Sequence, residues 1–291
     1  MYHSSKYSSL LKNDLIQKLL AIAVFFALAV SNAHALYQDK TLSSGKVRVH
    51  YSEQTASACD AVLLGVGTAM GAKDYDKLSE QITKYGYVVA ILDHAPGDAF
   101  KTDENQYKNL AEDVKLNLLS WLGDTNCTSI EHWVMGGHSA GGQAAQNAVA
   151  HNQGLADAVF SIDPYNMNNV DPIYVPAMYW GFEATTCFVE VEDASKKAYN
   201  KTHAQRAFYK VADKYQWGPC GYSPKYFHCS FCDGHCPVCT NCKTTPNHFY
   251  KDVARSVDKF IRAAFYGNWS KSALTMSSET PLTLYVDSDK P

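Results

Sequence analysis

Short runs that are apolar at nearly every position alternate along this 291-residue chain with stretches that are apolar every third or fourth residue. These runs are Ala61–Gly67, Tyr87–Leu92, Trp133–Met135, Ala156–Ile162, which is broken by Asp157 and Ser161, and Val175–Gly181. A continuous run such as Ala61–Gly67 suits a strand buried on both faces, as in a parallel sheet. Residues 43–51 instead alternate apolar and polar, which predicts a half-exposed strand. A further strand is expected over Lys225–Phe231. The helical spacing falls at Asp74–Lys84, closed by Gly86, at Asp103–Leu122, at Gln143–Ala150 and at Tyr250–Tyr266. In the second of these the apolar face comprises Leu110, Val114, Leu118, Leu119 and Leu122. Strands that alternate with helices predict an α/β fold, with right-handed crossovers and a mostly parallel sheet covered on both faces. Active sites of such sheets collect at the carboxyl ends of the strands.

The first residues fall outside that pattern. Lys6, Lys12 and Lys18 precede the apolar run Leu19–Val30, and Ala33-His34-Ala35 supplies a small-x-small cleavage pattern. Residues 1–35 read as a secretory signal peptide, because the run is short for a span and no basic stop-transfer cluster follows. Export is expected, to the outside or to the secretory-pathway lumen, with no stable membrane span after cleavage. Residues 36–291 then form a single domain. The net charge of -3 gives no reason to expect a nucleic-acid partner. Nine cysteines in an exported chain imply disulfides, and the odd number leaves one unpaired within the chain. Asn126, Asn200 and Asn268 head N-x-[ST] sequons, usable in a eukaryotic secretory pathway.

The run from Trp133 passes into Gly137-His138-Ser139-Ala140-Gly141-Gly142 and then into a good helix former. This is G-x-S-x-G between an expected strand and an expected helix, the context that a nucleophile elbow requires. The sharp turn presents the serine hydroxyl at its tip. Strand and helix come close behind it, so only glycine fits two positions to either side. The helix points its positive end at the place where an oxyanion would form.

A serine hydroxyl needs a base, and the base an orienting acid, in the chain order Ser, acid, His. Asp163 ends a strand and is followed by Pro164; it is the leading acid, with Glu183 past the next strand as its rival. His235, in Cys232-Asp-Gly-His-Cys236, leads as base, with His248 second; His228 and His203 are expected to be structural. The oxyanion donors are expected from the backbone N–H of Ala140 and from the turn after the strand at 61–67, at Thr68 or Gly67. Cys229, Cys232, Cys236, Cys239 and Cys242, with Cys220 nearby, form a cysteine-rich loop over 220–242. Zinc ribbons separate their C-x2-C pairs by a dozen or more residues, so disulfides holding the histidine loop are the better reading. No metal or organic cofactor is expected.

These residues resemble the chlorophyllase-like branch of the α/β-hydrolases, over roughly residues 60 to 265. The resemblance lies in Gly137-His138-Ser139-Ala140-Gly141-Gly142, in Asp163-Pro164, in the Gly234-His235 step after an aromatic-led segment from Tyr226, and in the cysteine-bearing loop before the last helix. Plant chlorophyllases usually carry arginine where this chain has Ala140, and the oxyanion turn lacks their His-Gly. The resemblance implies an α/β-hydrolase fold, triad roles for Ser139, Asp163 and His235, and hydrolysis of a small-molecule or lipid-like carboxylic ester with chlorophyllase-like or lipase-like specificity. Two other classes compete: a non-catalytic secreted homologue used for binding, and a zinc-stabilised cysteine-rich interaction module on an inactive scaffold.

Overall fold

In the computed structural model the described residues are 35–53, 55–93, 104–123, 125–165, 171–182, 191–212, 215–218, 221–224, 226, 228–231 and 247–288. The expected signal peptide apart from Ala35, and most of the cysteine-rich loop, including His235, lie outside them, as does Glu183.

Nine strands form one sheet. In chain order they are β1 (Ala35–Leu42), β2 (Gly45–Ser52), β3 (Ala58–Gly65), β4 (Val88–Asp93), β5 (Ser129–His138), β6 (Ala158–Ile162), β7 (Ala177–Phe182) and β8 (Arg206–Val211); β9 (Tyr215–Gly218) and β10 (Gly221–Pro224) make a separate hairpin, and β11 (Leu282–Asp287) returns to the main sheet. The spatial order is β1-β2-β4-β3-β5-β6-β7-β8-β11. The six strands from β4 to β8 run parallel, while β1, β2 and β11 join antiparallel at the edges. The all-apolar runs fall on the parallel strands, and β6 and β7 are buried at every position.

Helices cover both faces. On one, α1 (Asp76–Thr83) packs against the late helix that will be called α5 (Asn247–Ile261), through Tyr75, Leu78 and Ile82 on one side and Phe249, Val253, Val257 and Phe260 on the other. On the opposite face lie α2 (Glu104–Leu122), α3 (Ala140–His151) and α4 (Val191–Lys201). The buried stripe of α2 is Tyr107, Leu110, Ala111, Val114, Leu118 and Leu122. Leu119, expected there, is 42 % exposed, because it lies at the rim of the stripe where α2 meets water.

The connections fix where a site can form. From β3 the chain crosses through α1 to β4 on one side; from β5 it crosses through α3 to β6 on the other. Neighbouring strands whose connections leave in opposite directions open a crevice at their carboxyl ends. Here that crevice lies between Gly65, at the end of β3, and His138, at the end of β5.

Two expectations are corrected. The segment expected as a strand over Lys225–Phe231 holds a 3-10 turn at His228–Phe231. Its aromatic pattern serves a side-chain cluster rather than a pleat: Phe231 sits 5.0 Å from Phe249 and 5.3 Å from Phe182, and Tyr226 stacks on Phe249 at 5.3 Å. The final helix does not run uniformly to Tyr266; after Ile261 it widens into one π turn, Arg262–Tyr266. A disulfide joins Cys59, at the start of β3, to Cys127, just before β5. Among the described residues no helix is long and apolar enough to cross a membrane.

Candidate active site

At the end of β5 the backbone reverses into α3 within one residue. Ser139 has φ 54° and ψ -124°, a conformation that L residues avoid and that persists only when its surroundings hold it. Ser139 N–H donates to the Ile162 carbonyl at 3.0 Å, which ties the turn to β6. The glycines around it are dictated by contact. A Cβ on Gly137 would lie 2.5 Å from the Gly141 carbonyl carbon, and one on Gly141 would lie 2.4 Å from the Val66 oxygen. The strand, the helix and the turn after β3 are therefore packed backbone to backbone.

Asp163 follows β6 immediately and also has a positive φ, 49°. Its N–H donates to the Trp180 carbonyl at 2.9 Å. The carboxylate thus emerges beside Ser139 from the neighbouring strand.

The imidazole between them belongs to His228. Its Nε2 is 2.8 Å from Ser139 Oγ, and its Nδ1 is 2.8 Å from Asp163 Oδ2. A carboxylate oxygen can only accept, so Nδ1 carries the proton and Nε2 is free to accept from the serine hydroxyl. The expectation that His228 is structural is corrected, and the position foreseen for His235 is filled by His228. His248, the second choice, is turned elsewhere: its Nε2 is 2.5 Å from Tyr226 Oη, and its Nδ1 faces Glu279 at 3.7 Å. His203 stacks on Tyr174, away from the crevice. Nothing in the spacing of four downstream histidines could rank them. One signal was present: His228 lies between two aromatics, Tyr226 and Phe231, that are fully buried and lock a short turn in place.

All three groups are withdrawn from water: Ser139 is 5 % exposed, His228 1 % and Asp163 0 %. Burial disfavours charge on both titratable members. It lowers the His228 imidazole to about 4, and it raises the Asp163 carboxyl well above its ordinary value. The resting imidazole is therefore neutral at physiological pH, the form that can accept a proton. Asp163 Oδ1 has no hydrogen-bond partner among the described residues, so the bond to His228 is the one that holds this carboxylate.

The turn after β3 closes over the serine. The Met70 N–H donates to the Gly67 carbonyl at 3.1 Å, and Ala69 takes φ 59°. A Cβ on Gly67 would lie 3.2 Å from Ser139 Cβ, so this turn borders Ser139 directly. Gly67 N–H is engaged with Tyr75 Oη at 2.8 Å. Of the two residues expected to supply a donor here, Thr68 is therefore the one whose amide is not committed to that bond. Ala140 opens α3, and the first amides of a helix have no acceptor within it.

Among the described residues, one group of metal-type donors is found, Asp60, Glu131 and His132, at the opposite end of β3 and β5. Their atoms are already joined through the Tyr266 hydroxyl, which lies 3.0 Å from Asp60 and 3.1 Å from Glu131 and His132. No family model and no curated protein matches the chain.

Proposed function

We propose that this protein is a serine hydrolase of the α/β-hydrolase type that cleaves carboxylic esters, exported from the cell, with chlorophyllase-like or lipase-like specificity. The observation that carries the reading is the unbroken relay Asp163–His228–Ser139, with two bonds of 2.8 Å converging on a serine held at φ 54°. The chain order Ser, Asp, His and the position of each residue past a strand or in the crevice are those of a nucleophile elbow and its partners.

The chemistry follows from the proton positions. As Ser139 Oγ attacks the ester carbonyl carbon, its proton passes to His228 Nε2. The imidazolium so formed is stabilised by the Asp163 carboxylate at Nδ1, which offsets the burial that otherwise disfavours its charge. The carbonyl oxygen becomes an oxyanion and is met by the backbone N–H of Ala140 and of Thr68, in a water-poor pocket where such dipoles act strongly. The imidazolium then donates its proton to the departing alkoxide, leaving an acyl-Ser139. A water, deprotonated by the same nitrogen, attacks the acyl carbon; as the acyl–Oγ bond breaks, the imidazolium returns that proton to Ser139 Oγ and the acid is released.

The experiment is hydrolysis of p-nitrophenyl esters over a range of chain lengths, with labelling by a fluorophosphonate, on wild type and Ser139→Ala. Wild-type turnover with a loss of about 10³-fold or more in the variant is the expected result. A folded wild-type chain that neither turns over esters nor takes the label refutes the reading and favours a binding homologue.

A further inference from the structure

The site contains a second histidine that the mechanism does not use. His138 directly precedes Ser139, is 1 % exposed, and packs its ring 4.6 Å from that of His228. Its Nε2 lies 2.8 Å from the backbone carbonyl of His228, and its Nδ1 lies 2.8 Å from Tyr75 Oη. Tyr75 Oη in turn lies 2.8 Å from Gly67 N. We propose that His138 and Tyr75 are positioning residues that tie the oxyanion turn to the backbone of the catalytic base, so that acyl transfer depends on both being held in register. This rests on the serine-hydrolase reading above.

The polarity of the string is fixed at both ends. A backbone carbonyl can only accept, so His138 Nε2 carries hydrogen and Nδ1 is an acceptor. Tyr75 must then donate its hydroxyl proton to Nδ1, and its oxygen lone pair receives the Gly67 N–H. With His138 neutral the string runs from Gly67 N–H to Tyr75, from Tyr75 O–H to His138, and from His138 N–H to the carbonyl of His228.

A neutral His138 fits this string, with Nδ1 as the acceptor from Tyr75. Burial and the nearby His228 ring, 4.6 Å away, hold its imidazole well below the ordinary range. Packing alone does not call for such a residue. An apolar side chain would fill the same volume next to Phe231 without burying two ring nitrogens. What the histidine adds is a link between two segments 161 residues apart, Gly67 and His228, that share no strand pairing. One carries the second oxyanion donor next door at Thr68; the other carries the base. The reacting atoms of an acyl transfer need both within a fraction of an ångström.

Tyr75→Phe removes the middle of the string while leaving the ring in its place. His138→Gln places an amide near Nε2 and retains a donor for the His228 carbonyl, but offers Tyr75 no acceptor at Nδ1; His138→Leu retains neither. Kinetics are normalised to active sites titrated with a fluorophosphonate, so a merely structural role, which lowers the amount of competent protein, leaves kcat per site unchanged. The expected result is a fall in kcat per titrated site of roughly 10- to 100-fold for Tyr75→Phe, with KM changed less than about threefold. His138→Leu should fall at least as far, and His138→Gln should recover part of the loss. Because the string acts as a unit, Tyr75→Phe combined with His138→Leu should be no worse than His138→Leu alone. Wild-type kcat per site in Tyr75→Phe, or a double variant whose losses multiply, overturns the inference while the hydrolase reading stands. If Tyr75→Phe does not fold, partial recovery in His138→Gln relative to His138→Leu decides the matter, and equal activity in those two overturns it. A wild-type chain that hydrolyses no ester and takes no label at Ser139 overturns the hydrolase reading, and this inference with it.

Discussion

Replacing His228 by alanine is the most discriminating perturbation of the site, because it acts on rate and on stability through different bonds. The rate effect comes from Nε2. Without a base within reach of Ser139 Oγ, the hydroxyl keeps its proton during attack, and kcat should fall by about 10³-fold or more. The stability effect comes from Nδ1. Asp163 is fully buried and its bond to His228 is the one that holds its carboxylate, so the variant strands a charged acceptor. Losing such a partner costs about 2 kcal/mol. The cost is capped because the carboxyl, already raised by burial, can take up a proton instead. His228→Ala should therefore lower the urea midpoint at pH 7.5 and lower it less at pH 5, where protonating Asp163 is easier. Ser139→Ala, which removes only a hydroxyl, should match the kinetic loss with a smaller stability change. The assays are p-nitrophenyl ester turnover and urea unfolding followed by tryptophan fluorescence. The reasoning fails if His228→Ala keeps turnover within tenfold of wild type while His235→Ala abolishes it.

Three further outcomes follow from the same geometry. The unfolded chain protonates His228 near 6.5 and the folded chain only near 4, so between those values the unfolded state binds more protons and stability falls as pH falls, by up to about 3 kcal/mol from this group; Asp163, raised by burial, acts with the opposite sign, so the His228 contribution is read in Asp163→Asn, where a urea midpoint that rises from pH 7 to pH 4.5 contradicts it. Cys59 and Cys127 close a loop of 68 residues in the unfolded chain, so Cys59→Ala with Cys127→Ala should cost about 4 kcal/mol by loop entropy, yet leave kcat per titrated site unchanged, because the bridge lies at the far ends of β3 and β5, about 25 Å along the strands from Ser139; a kcat loss beyond threefold would contradict that separation. Gly141→Ala should be destabilising by about 1–3 kcal/mol, since its Cβ would meet the Val66 oxygen at 2.4 Å and backbone cannot step aside; thermal unfolding within 1 °C of wild type contradicts it.

The parallel strands were legible because burial on both faces leaves a nearly unbroken apolar run, as in Val88–Leu92 and, interrupted by Ser161 alone, Ala158–Ile162. The elbow was legible because backbone contact demands glycine at fixed offsets, and Asp163 because it ends a buried run. Other features carry no such mark. The edge strands β1 and β11, and β8 beside β11, mix polar with apolar residues, and they passed unnoticed. Helix α4 is anchored through small residues, Ala194 and Ala198, rather than an apolar stripe. His228 was missed because a strand expected over Lys225–Phe231 would place it mid-strand, whereas the segment holds a 3-10 turn whose aromatics pack into a ring cluster around Phe249. A histidine's distance from the serine along the chain says nothing of which one closes the gap; that depends on how the segment folds back over β7 and α5.

The position of the base along the chain also bears on the order of events during folding. Ser139 and Asp163 lie 24 residues apart on paired strands, within one crossover unit, whereas His228 joins Ser139 across 89 residues. Short-range contacts close early and long-range ones late, because each longer loop costs more entropy before its contacts form. A nascent or partly folded chain therefore forms the Ser139–Asp163 neighbourhood before His228 reaches it. Reactivity towards a fluorophosphonate would be a clock for the last stage of folding, appearing after most helix content has formed. An exported hydrolase with this layout would remain chemically silent until the segment bearing His228 has docked.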